Sequence, residues 1–383
     1  RLINKTKKHM KFTVSSTALL SHLQSIGRVI NPKSPLPILE NFLLKIEDKT
    51  LTITASDLET TLITSLEVEN PSGNITLAVN AKLLMDSLRE FSEQPLQFDI
   101  NENNLAVIIK TESGNYNFIG QNGDEYPKLP ALGDEANTLT LPVEILANGV
   151  NKAAFATADD DLRPTMTGIY FDIKSDDITF VATDAHKLVR LKNTSVKSGV
   201  DAAFILPKKP ANMLKNIIAK ESGDVEIRFD QKNIVFKLPS YVMVCRQIEG
   251  RFPNYNGVIP QNNPYKLIID RLSLMNAIKR VYTFSNQGTG LIKLAISENT
   301  LVITAQDIDF STSAKETMTC QYQGETINIG FKAPFLVDIL NNINSGDVVI
   351  ELADPSRAGI ILPFENEANE ELLMLLMPML ITE

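Results

Sequence analysis

The chain has 383 residues, 43% of them apolar and 22% charged, an ordinary balance for a soluble globular protein of two or three domains. It contains no apolar run near the roughly 20 residues that span a bilayer, and its first residues lack a secretory signal, so we expect no membrane association. Its net charge of −9 argues against a protein coated in nucleic acid, and its two cysteines give neither a disulfide framework nor zinc-ligand spacing, so we expect a reducing cytoplasm and no metal or cofactor.

The chain opens with residues 1–9, RLINKTKKH, which we interpret as an upstream extension or a cloning remnant because Met10 looks like a natural start. An amphipathic helix is then predicted over 15–30, where apolar residues recur at the spacing of one helical face. The same spacing returns over 270–285, and a looser version over 142–155 begins with a proline that suits a first helical turn. The apolar residues on the three faces are Leu19, Leu20, Leu23 and Ile26, then Val143, Leu146, Val150 and Ala154, then Leu274, Met275, Ile278 and Val281.

Each helix is followed by an alternating apolar run that ends in Ala-x-Asp and is predicted to form a half-buried strand. The runs are LTITASDLE, FVATDAHKL and LVITAQDID, and their aspartates Asp57, Asp184 and Asp307 are 127 and 123 residues apart. This near-constant period predicts a domain repeated three times. An aspartate at such a strand end typically bonds to turn backbone, and we predict that role for Asp57 and Asp307.

Each third continues with a second short helix, a polar hairpin turn and a connector that contains proline and glycine. The helices are predicted over 80–91, 207–218 and 331–343, and the turns over 101–104, 230–233 and 353–358. The connectors predict domains over 10–134, 135–260 and 261–383. The fold class is therefore α+β, with three tandem copies of one domain that each carry two helices on antiparallel sheets.

If the six sheets join edge to edge, all helices lie on one side, and closing the array removes unpaired sheet edges. One chain then supplies half or all of a ring. The polar helix faces carry bases in an acidic chain, which favours a positive inner surface for the phosphates of duplex DNA, bound without sequence specificity. A solvated helix face is the alternative. The bases are Arg28, Lys82, Arg89, Lys152, Lys208, Lys209, Lys215, Arg271, Lys279, Arg280 and Lys332.

The middle Ala-x-Asp run is chemically distinct, because Thr183, Asp184, His186 and Lys187 fall within five residues. Such a cluster could serve general acid–base chemistry. However, the chain has no glycine-rich nucleotide motif and no metal-ligand spacing, and an enzyme rarely needs three sheet copies of which one is distinct. Two further alternatives are a sequence-specific DNA-binding regulator, which would need a basic recognition helix, and a monomeric peptide-binding scaffold.

Several separated motifs occur in order on this threefold repeat: MKFTVSSTALLSHLQ, LPILENFLL, LTITASDLE, ATDAHKL, RFPNY and the closing MPM. On these motifs the chain, over essentially Met10 to Ile381, resembles the bacterial DNA polymerase III beta subunit family of sliding clamps. The resemblance implies a non-catalytic, head-to-tail homodimeric ring that encircles duplex DNA and makes its polymerase processive. The implied partners are an alpha-type catalytic subunit of the polymerase, the clamp loader, an exonuclease complex and other proteins with a clamp-binding motif.

The resemblance also implies a pocket for partner peptides in the second domain and at its border with the third. A peptide with one glutamine and two large apolar residues is the expected ligand, and mobile methionines suit a groove that accepts many peptides. The sequence departs from the family pattern at Ala185, where glycine is common, and at Lys187 and Leu380, where arginine is common. The implied pocket residues are Met166, Thr183, Ala185, His186, Lys187, Leu188, Pro253, Val258, Leu375, Met377, Pro378 and Met379.

Two other sets of residues are implied by the resemblance. The dimer interface is expected to join Tyr116 and Phe118 of one chain to Thr283 and Phe284 of the other. A DNA-contacting loop arginine of the first domain corresponds to Lys33, which keeps the charge. A polar loop residue of the second domain corresponds to Asp160, whose carboxylate would repel phosphate.

Overall fold

The computed structural model describes residues 9–381. Residues 1–8, most of the segment interpreted as an extension, and Thr382 and Glu383 lie outside the described residues. His9, the last residue of that segment, begins the first strand. Among residues 9–381 no helix is long and apolar enough to cross a membrane.

The helices and strands follow the same order in each third of the chain. The first third contains β1 (His9–Ser15), α1 (Ser16–Ile26), β2 (Asn41–Glu47), β3 (Thr50–Ser56), β4 (Thr60–Glu67), β5 (Ile75–Asn80), α2 (Ala81–Arg89), β6 (Pro95–Asn101), β7 (Ala106–Lys110), β8 (Asn115–Ile119) and β9 (Gln121–Asn122). The second contains β10 (Asn137–Pro142), α3 (Val143–Ala153), β11 (Gly168–Ile173), β12 (Ile178–Thr183), β13 (Lys187–Asn193), β14 (Ala202–Pro207), α4 (Lys208–Ile218), β15 (Asp224–Phe229), β16 (Asn233–Lys237) and β17 (Tyr241–Arg246). The third contains β18 (Tyr265–Asp270), α5 (Arg271–Tyr282), β19 (Leu291–Ser297), β20 (Thr300–Asp307), β21 (Thr312–Thr319), β22 (Gln321–Gln323), β23 (Ile327–Lys332), α6 (Ala333–Asn341), β24 (Asp347–Leu352), β25 (Gly359–Pro363) and β26 (Glu370–Leu376).

The six predicted helices are all present, and local chemistry fixes the first residues of four of them. The side chains of Ser15, Asn80 and Asp270 each accept a hydrogen bond from a backbone N–H three residues on, at the starts of α1, α2 and α5. In α6 a proline, Pro334, lies in the first turn, where its missing N–H costs nothing. The three predicted hairpin turns also connect paired strands, namely β6 to β7, β15 to β16 and β24 to β25.

By its internal contacts the chain divides into two compact units. Within the described residues, the first is 9–144 with Asn212–Gln247, and the second is Ile145–Ala211 with 248–381. The division therefore falls inside α3 and α4, within the central third. The predicted domain boundaries near 134 and 261 remain predictions.

The first unit contains two antiparallel sheets. One has four strands in the order β1-β6-β7-β8, and the other has nine in the order β10-β15-β16-β17-β4-β3-β2-β5-β9. In the larger sheet, β17 of the central third pairs with β4 of the first third, with Tyr241 opposite Thr64. The expected edge-to-edge joining of successive sheets is confirmed at this seam.

The second unit is built in the same way. Its nine-stranded sheet has the order β14-β11-β12-β13-β26-β25-β24-β18-β22, and its four-stranded sheet has the order β21-β20-β19-β23. Here β13 of the central third pairs with β26, the last strand of the chain, and Leu188 lies opposite Leu375. The segment LLMLLMPML is therefore largely an inner strand, with Met374 and Leu376 fully buried.

The apolar helix faces pack as the sequence predicts. Leu274, Met275, Ile278 and Val281 of α5 are all buried, as are Val143, Leu146 and Val150 of α3. In α1, Leu19, Leu23 and Ile26 are buried, whereas Leu20 is only partly so. Burying one such side chain contributes about 1.5–3 kcal/mol, so these faces hold each helix on its sheet.

Candidate functional site

The three Ala-x-Asp segments form the same turn. In each copy the Oδ1 atom of the aspartate accepts hydrogen bonds from the backbone N–H groups two and three residues further on, at 2.7–3.2 Å. The turn-capping role predicted for Asp57 and Asp307 is confirmed, and Asp184 shares it. The three aspartates thus fix where one strand ends and the next begins.

The middle copy adds an ion pair. The Nζ atom of Lys187 donates to Oδ2 of Asp184 at 2.7 Å and lies 4.0 Å from the ring centroid of Phe335, with only 7% of its side chain exposed. Burial alone would raise the pKa of the Asp184 carboxyl, but hydrogen bonds from the Lys187 ammonium and from two backbone N–H groups outweigh burial and hold this pKa below its ordinary value. The Asp184 carboxylate therefore has a structural role, both in the turn and in the ion pair.

His186 and two lysines lie around one aromatic ring. The ring of His186 lies 6.0 Å from the ring of Phe335, and Lys332 lies 4.7 Å from that same ring. Among residues 9–381, no three potential metal ligands come together. The four polar residues of this segment are therefore organised around a turn and an aromatic ring.

Ala185 has a backbone conformation in this turn that is unfavourable for alanine. Its φ is 75°, and Leu58 of the first copy has a φ of 78° at the same position. Residues with a Cβ atom rarely adopt this left-handed backbone conformation, whereas glycine adopts it without a steric cost. This explains why glycine suits the position better than alanine.

An apolar cavity of about 730 Å³ opens beside this turn. Nine of the twelve residues predicted for the peptide pocket line it: Met166, Thr183, Ala185, Lys187, Leu188, Pro253, Val258, Leu375 and Met377. Eight lining residues were not predicted: Asn254, Tyr255, Gly257, Ile259, Pro260, Gln261, Arg357 and Ala358. The volume is typical of a small-ligand or peptide-anchor site.

The floor of the cavity is buried and its rim is exposed. Leu188, Leu375 and Tyr255 belong to one buried cluster beneath it. The Tyr255 hydroxyl donates to Oδ2 of Asp172 at 2.7 Å, which anchors the loop that forms one wall. By contrast, Val258 and Met377 are 61% and 42% exposed, so they offer apolar surface that has no partner among the described residues. A preformed apolar groove with an exposed rim suits a short apolar segment of another molecule.

His186, Pro378 and Met379, which were also predicted for the pocket, are not among the described lining residues. The N–H of Met377 donates to the carbonyl of His186 at 2.8 Å, and the N–H of Met379 donates to the carbonyl of Gly330 at 2.7 Å. These backbone contacts hold the C-terminal segment in place, and the part of these three residues in the peptide pocket stays a prediction.

The predicted DNA-contacting bases differ in how exposed they are. Arg28, Lys33, Lys82, Arg89, Lys209, Lys279 and Arg280 are exposed, whereas Lys208, Lys215 and Lys332 are partly buried. Several are paired with acids: Lys82 and Arg89 with Asp86, Lys208 with Asp159, and Arg280 with Glu316 through two hydrogen bonds of 2.6 and 2.8 Å. Asp160 is paired in turn with Arg163 at 2.8 Å. These pairs reduce the net positive charge of the helix faces.

The placement of Lys152 on an exposed polar face is wrong. Lys152 is 9% exposed, and its Nζ donates to the carbonyl of Asn342 at 2.6 Å and to Oδ1 of Asn344 at 3.0 Å. Arg271 is engaged similarly, with the carbonyls of Ser345 and Leu340. Both cations therefore bind polar groups at and just after the C-terminal end of α6, where positive charge is stabilising.

The four predicted interface residues lie at or beside edge strands. Tyr116 and Phe118 belong to β8, the last strand of its sheet, and Tyr116 is 41% exposed. Phe284 is 45% exposed, and its carbonyl accepts a hydrogen bond from Thr312, the first residue of edge strand β21. Thr283, next to it, is exposed as well. Each unit thus has a terminal strand, β8 or β21, beside an exposed aromatic ring.

Comparison with known proteins agrees with this architecture. Family models for the N-terminal, central and C-terminal domains of the DNA polymerase III beta subunit match residues 10–130, 140–254 and 256–379. The beta sliding clamp of Haemophilus influenzae is 27% identical over 95% of this chain and 99% of its own, and that of Synechococcus elongatus is 28% identical over 92% and 96%.

Solved structures agree in fold. The sliding clamp of Bartonella birtlesii bound to griselimycin has a TM-score of 0.90 at 28% identity and covers 98% of this chain and 100% of its own. A sliding clamp from Pseudomonas aeruginosa, solved with a ligand, has a TM-score of 0.91 at 25% identity over 97% and 100%.

Three tandem copies of a helix-on-sheet domain, with sheets joined edge to edge, define a processivity clamp of DNA replication. Within that class, the chain belongs to the DNA polymerase III beta subunit family. It is thus a non-catalytic sliding clamp, and the acid–base alternative for the segment from Thr183 to Lys187 is wrong.

Proposed function

We propose that this clamp acts as a head-to-tail homodimer that encircles duplex DNA and tethers the replicative polymerase to it. The observation that carries the proposal is the pair of open edges, β8 and β21, which lie in the first and last thirds of the chain. Two different surfaces of one chain make a heterologous contact, and such contacts close into a ring when the rotation permits. Exposed Tyr116 and Phe284 supply apolar area at the two edges.

The ring binds DNA without sequence specificity. Arg28 and Lys33, together with the exposed bases of α2, α4 and α5, supply positive charge to the phosphate backbone. Acidic partners of several of these bases keep this attraction weak, which favours sliding. Lys152 is excluded from the contact because it is buried, and Asp160 weakens it locally.

The groove beside Ala185 receives short peptides of partner proteins. Exposed Val258 and Met377 accept the large apolar side chains, and Gln261 adds a polar side chain to the lining of the groove. The partners are the alpha-type catalytic subunit of the polymerase, the clamp loader, an exonuclease complex and other proteins with a clamp-binding motif. The three domains extend over 10–134, 135–260 and 261–383, and the protein works in the cytoplasm, where bacterial DNA is replicated.

Retention on DNA tests the ring. The clamp is loaded on nicked circular DNA by a clamp loader, washed at high salt, and compared before and after the circle is cut once. A topological link keeps the clamp on closed circles in salt and releases it from the linear form. Loss at the same salt from both forms would indicate ordinary electrostatic binding and would refute the ring. A monomer in sedimentation, with peptide binding intact, would instead favour a monomeric peptide-binding scaffold.

A further inference from the structure

The two seams between sheets of the described chain contain the same backbone hydrogen bond. At the first, the N–H of Arg246, the last residue of β17, donates to the carbonyl of Glu59, the residue before β4, at 3.0 Å. At the second, the N–H of Met377, the residue after β26, donates to the carbonyl of His186, the residue before β13, at 2.8 Å. Each acceptor lies in an Ala-x-Asp turn, so the first two turns each bind the end of a strand from another third of the chain.

The turn of the third copy is longer than the other two and exposes two apolar side chains. Six residues, 307–312, separate the paired residues Gln306 and Ser313, whereas four separate the equivalent pairs in the other two copies. Ile308 and Phe310 in this turn are 82% and 80% exposed. Strand β21, which follows the turn, is a terminal strand that pairs with β20. The third turn therefore presents apolar surface where the other copies bind a strand end.

A cavity of about 640 Å³ borders this turn. Ile308 lines it together with Thr304 and Gln306, alternate residues of β20 that point to one face of the sheet. The groove of the middle copy borders the equivalent turn, and Met377, the strand-end residue that binds that turn, lines the groove. Among residues 9–381 the cavity of the third copy has no such strand-end wall, because the strand order of its sheet ends at β21.

Ile119 has the position and the chemistry of this missing wall. It is the last residue of β8, which is also a terminal strand, and it precedes Arg246 by 127 residues, the spacing between the aspartates of the first two turns. Its side chain is 77% exposed. Ile119 thus corresponds to the strand-end residue of the first seam.

The first seam also gives a register for pairing β8 of a second copy with β21. There Thr60, the first residue of β4, lies opposite Cys245, the residue before the strand-end donor. The same pairing places Thr312, the first residue of β21, opposite Phe118, the residue before Ile119.

This register brings Ile119 to the face that carries the cavity. Thr312 pairs with Asp307, so both point to the opposite face from Gln306. The residue opposite Thr312 points with them, and Ile119, the next residue of its strand, points to the side of Gln306. Ile119 of a second copy therefore reaches the cavity on the side that Ile308 lines.

We propose that Ile308 and Phe310 of one copy pack on Ile119 of a second copy, so that this apolar contact completes the wall of the cavity and helps to hold the ring closed. The inference rests on the proposed head-to-tail homodimer and adds to it a contact outside the paired strands. It also assigns a role to the longer third turn.

The contact does not depend on charge. Strand β8 contains no charged residue. Of the two charged residues of β21, Glu316 is bound to an arginine of α5, and Lys315 lies opposite Asn115 in the inferred register. At the first seam Arg246 forms an ion pair with the turn at 3.7 Å, whereas the equivalent Ile119 is apolar. A second copy of this chain therefore fits the surface better than a charged partner does.

Dilution of fluorescently labelled protein measures the Kd of the dimer and tests the contact. Ile119→Ser should raise this Kd by about tenfold, and so should Ile308→Ser with Phe310→Ser, because burial of a large apolar side chain contributes at least such a factor. All three substitutions together should raise it little further, since both sets remove the same contact. Leu162→Ser, at a residue that is 90% exposed and outside the strands, is the control and should leave the Kd unchanged. The wild-type Kd should change by less than about threefold between roughly 0.1 and 1 M salt.

Disulfide crosslinking tests the register. Asn117→Cys with Ser313→Cys, which lie opposite each other in the inferred pairing, should give a covalent dimer on mild oxidation. Asn115→Cys with Ser313→Cys, shifted along the strand, should not. Oxidised wild type is the control for the native cysteines.

Four results would overturn the inference: an unchanged Kd in Ile119→Ser, effects that multiply in the combined variant, crosslinking of the shifted pair alone, or a wild-type Kd that rises steeply with salt. A wild type that is dimeric in these cases leaves the proposed ring in place. A wild type that is monomeric at every concentration refutes the ring itself, and the inference with it.

Discussion

Lys187 and Asp184 form an ion pair with 7% and 15% of their side chains exposed, in a turn whose two other copies have Thr60 and Phe310 at the position of Lys187. The aspartate caps the turn in all three copies, and Asp184 also holds the ammonium group of Lys187, at 2.7 Å. The pair closes the turn beside the groove, so its loss should affect stability more than the loss of a capping carboxylate alone.

The substitution Asp184→Asn should destabilise the protein by roughly 2–4 kcal/mol, because it leaves the buried ammonium of Lys187 without its counter-charge. Asp307→Asn is the matched control, since Asp307 caps the equivalent turn and has no ion-pair partner among residues 9–381. Chemical denaturation of both variants measures the difference. Equal losses would show that capping, rather than the ion pair, carries the stability.

The same pair predicts a pH dependence. The pKa of Asp184 is lower in the folded protein than its ordinary value, so the folded state favours the charged form. The resulting stability is complete above the unfolded pKa near 4 and is lost as pH falls through the folded pKa. Denaturation midpoints measured from pH 7 to pH 3 should therefore fall less steeply in Asp184→Asn than in the wild type.

Ala185→Gly should stabilise the protein by up to about 1 kcal/mol. Glycine removes the cost of a φ of 75°, although part of the gain is offset by the greater freedom of glycine in the unfolded chain. Ala203→Gly in the extended strand β14 is the control and should destabilise. A loss of stability in Ala185→Gly would mean that the alanine methyl group packs favourably at the edge of the groove.

Val258→Ser with Met377→Ser should weaken binding of a polymerase C-terminal peptide by about tenfold to a hundredfold, because both side chains offer apolar area on the rim of the groove. Leu380→Ser removes an equally apolar side chain that is 87% exposed and does not line the cavity. It should leave the affinity unchanged. Fluorescence polarisation of the labelled peptide measures its affinity for the wild type, the double variant and Leu380→Ser. Unchanged affinity in the double variant would exclude this rim from the binding site.

Phe284→Asp should convert the proposed dimer to a monomer at low micromolar concentration, since it would bury an unpaired charge beside strand β21 at a cost of several kcal/mol. Leu162→Asp, at a residue that is 90% exposed and not on an edge strand, should remain dimeric. Sedimentation velocity distinguishes the two species. Peptide binding should be unaffected in both variants, and a dimeric Phe284→Asp would show that another surface joins the copies.

Arg28→Glu with Lys33→Glu should weaken duplex binding equally for unrelated sequences. The slope of log affinity against log salt should fall by about two, since each lost phosphate contact removes about 0.9. Lys197→Glu, an exposed lysine outside the helix faces, is the control. Fluorescence anisotropy across a salt series gives the slope, and an unchanged slope in the double variant would remove both residues from the DNA surface.

Much of the fold follows from local patterns in the sequence. The helices are identifiable because apolar residues such as Leu274 and Ile278 recur at helical spacing, and because Asn80 and Asp270 are strong capping residues. The repeat is visible because three turns need the same aspartate. The exposed position expected for Lys152 was wrong because an amphipathic pattern cannot show that the end of another helix, α6, covers part of a polar face.

The groove was only partly predictable. The resemblance to the family indicates nine of its lining residues. Arg357 carries no such signal, because its hairpin is brought to the groove by the pairing of β24, β25 and β26. The same limit applies to Tyr255 and Gln261, which come from a connector whose path depends on packing against Asp172 and its neighbours.

The two seams between sheets determine when each unit can be completed during synthesis. Strand β4 ends at Glu67, but its partner β17 begins at Tyr241, and β13 ends at Asn193, long before its partner β26 begins at Glu370. During synthesis, β4 and later β13 therefore have an unpaired edge, because the strands that pair with them have not yet been translated. Open strand edges favour pairing with other chains, so the nascent protein is most prone to misassembly during these two intervals. The second interval lasts until β26 is available to pair with β13.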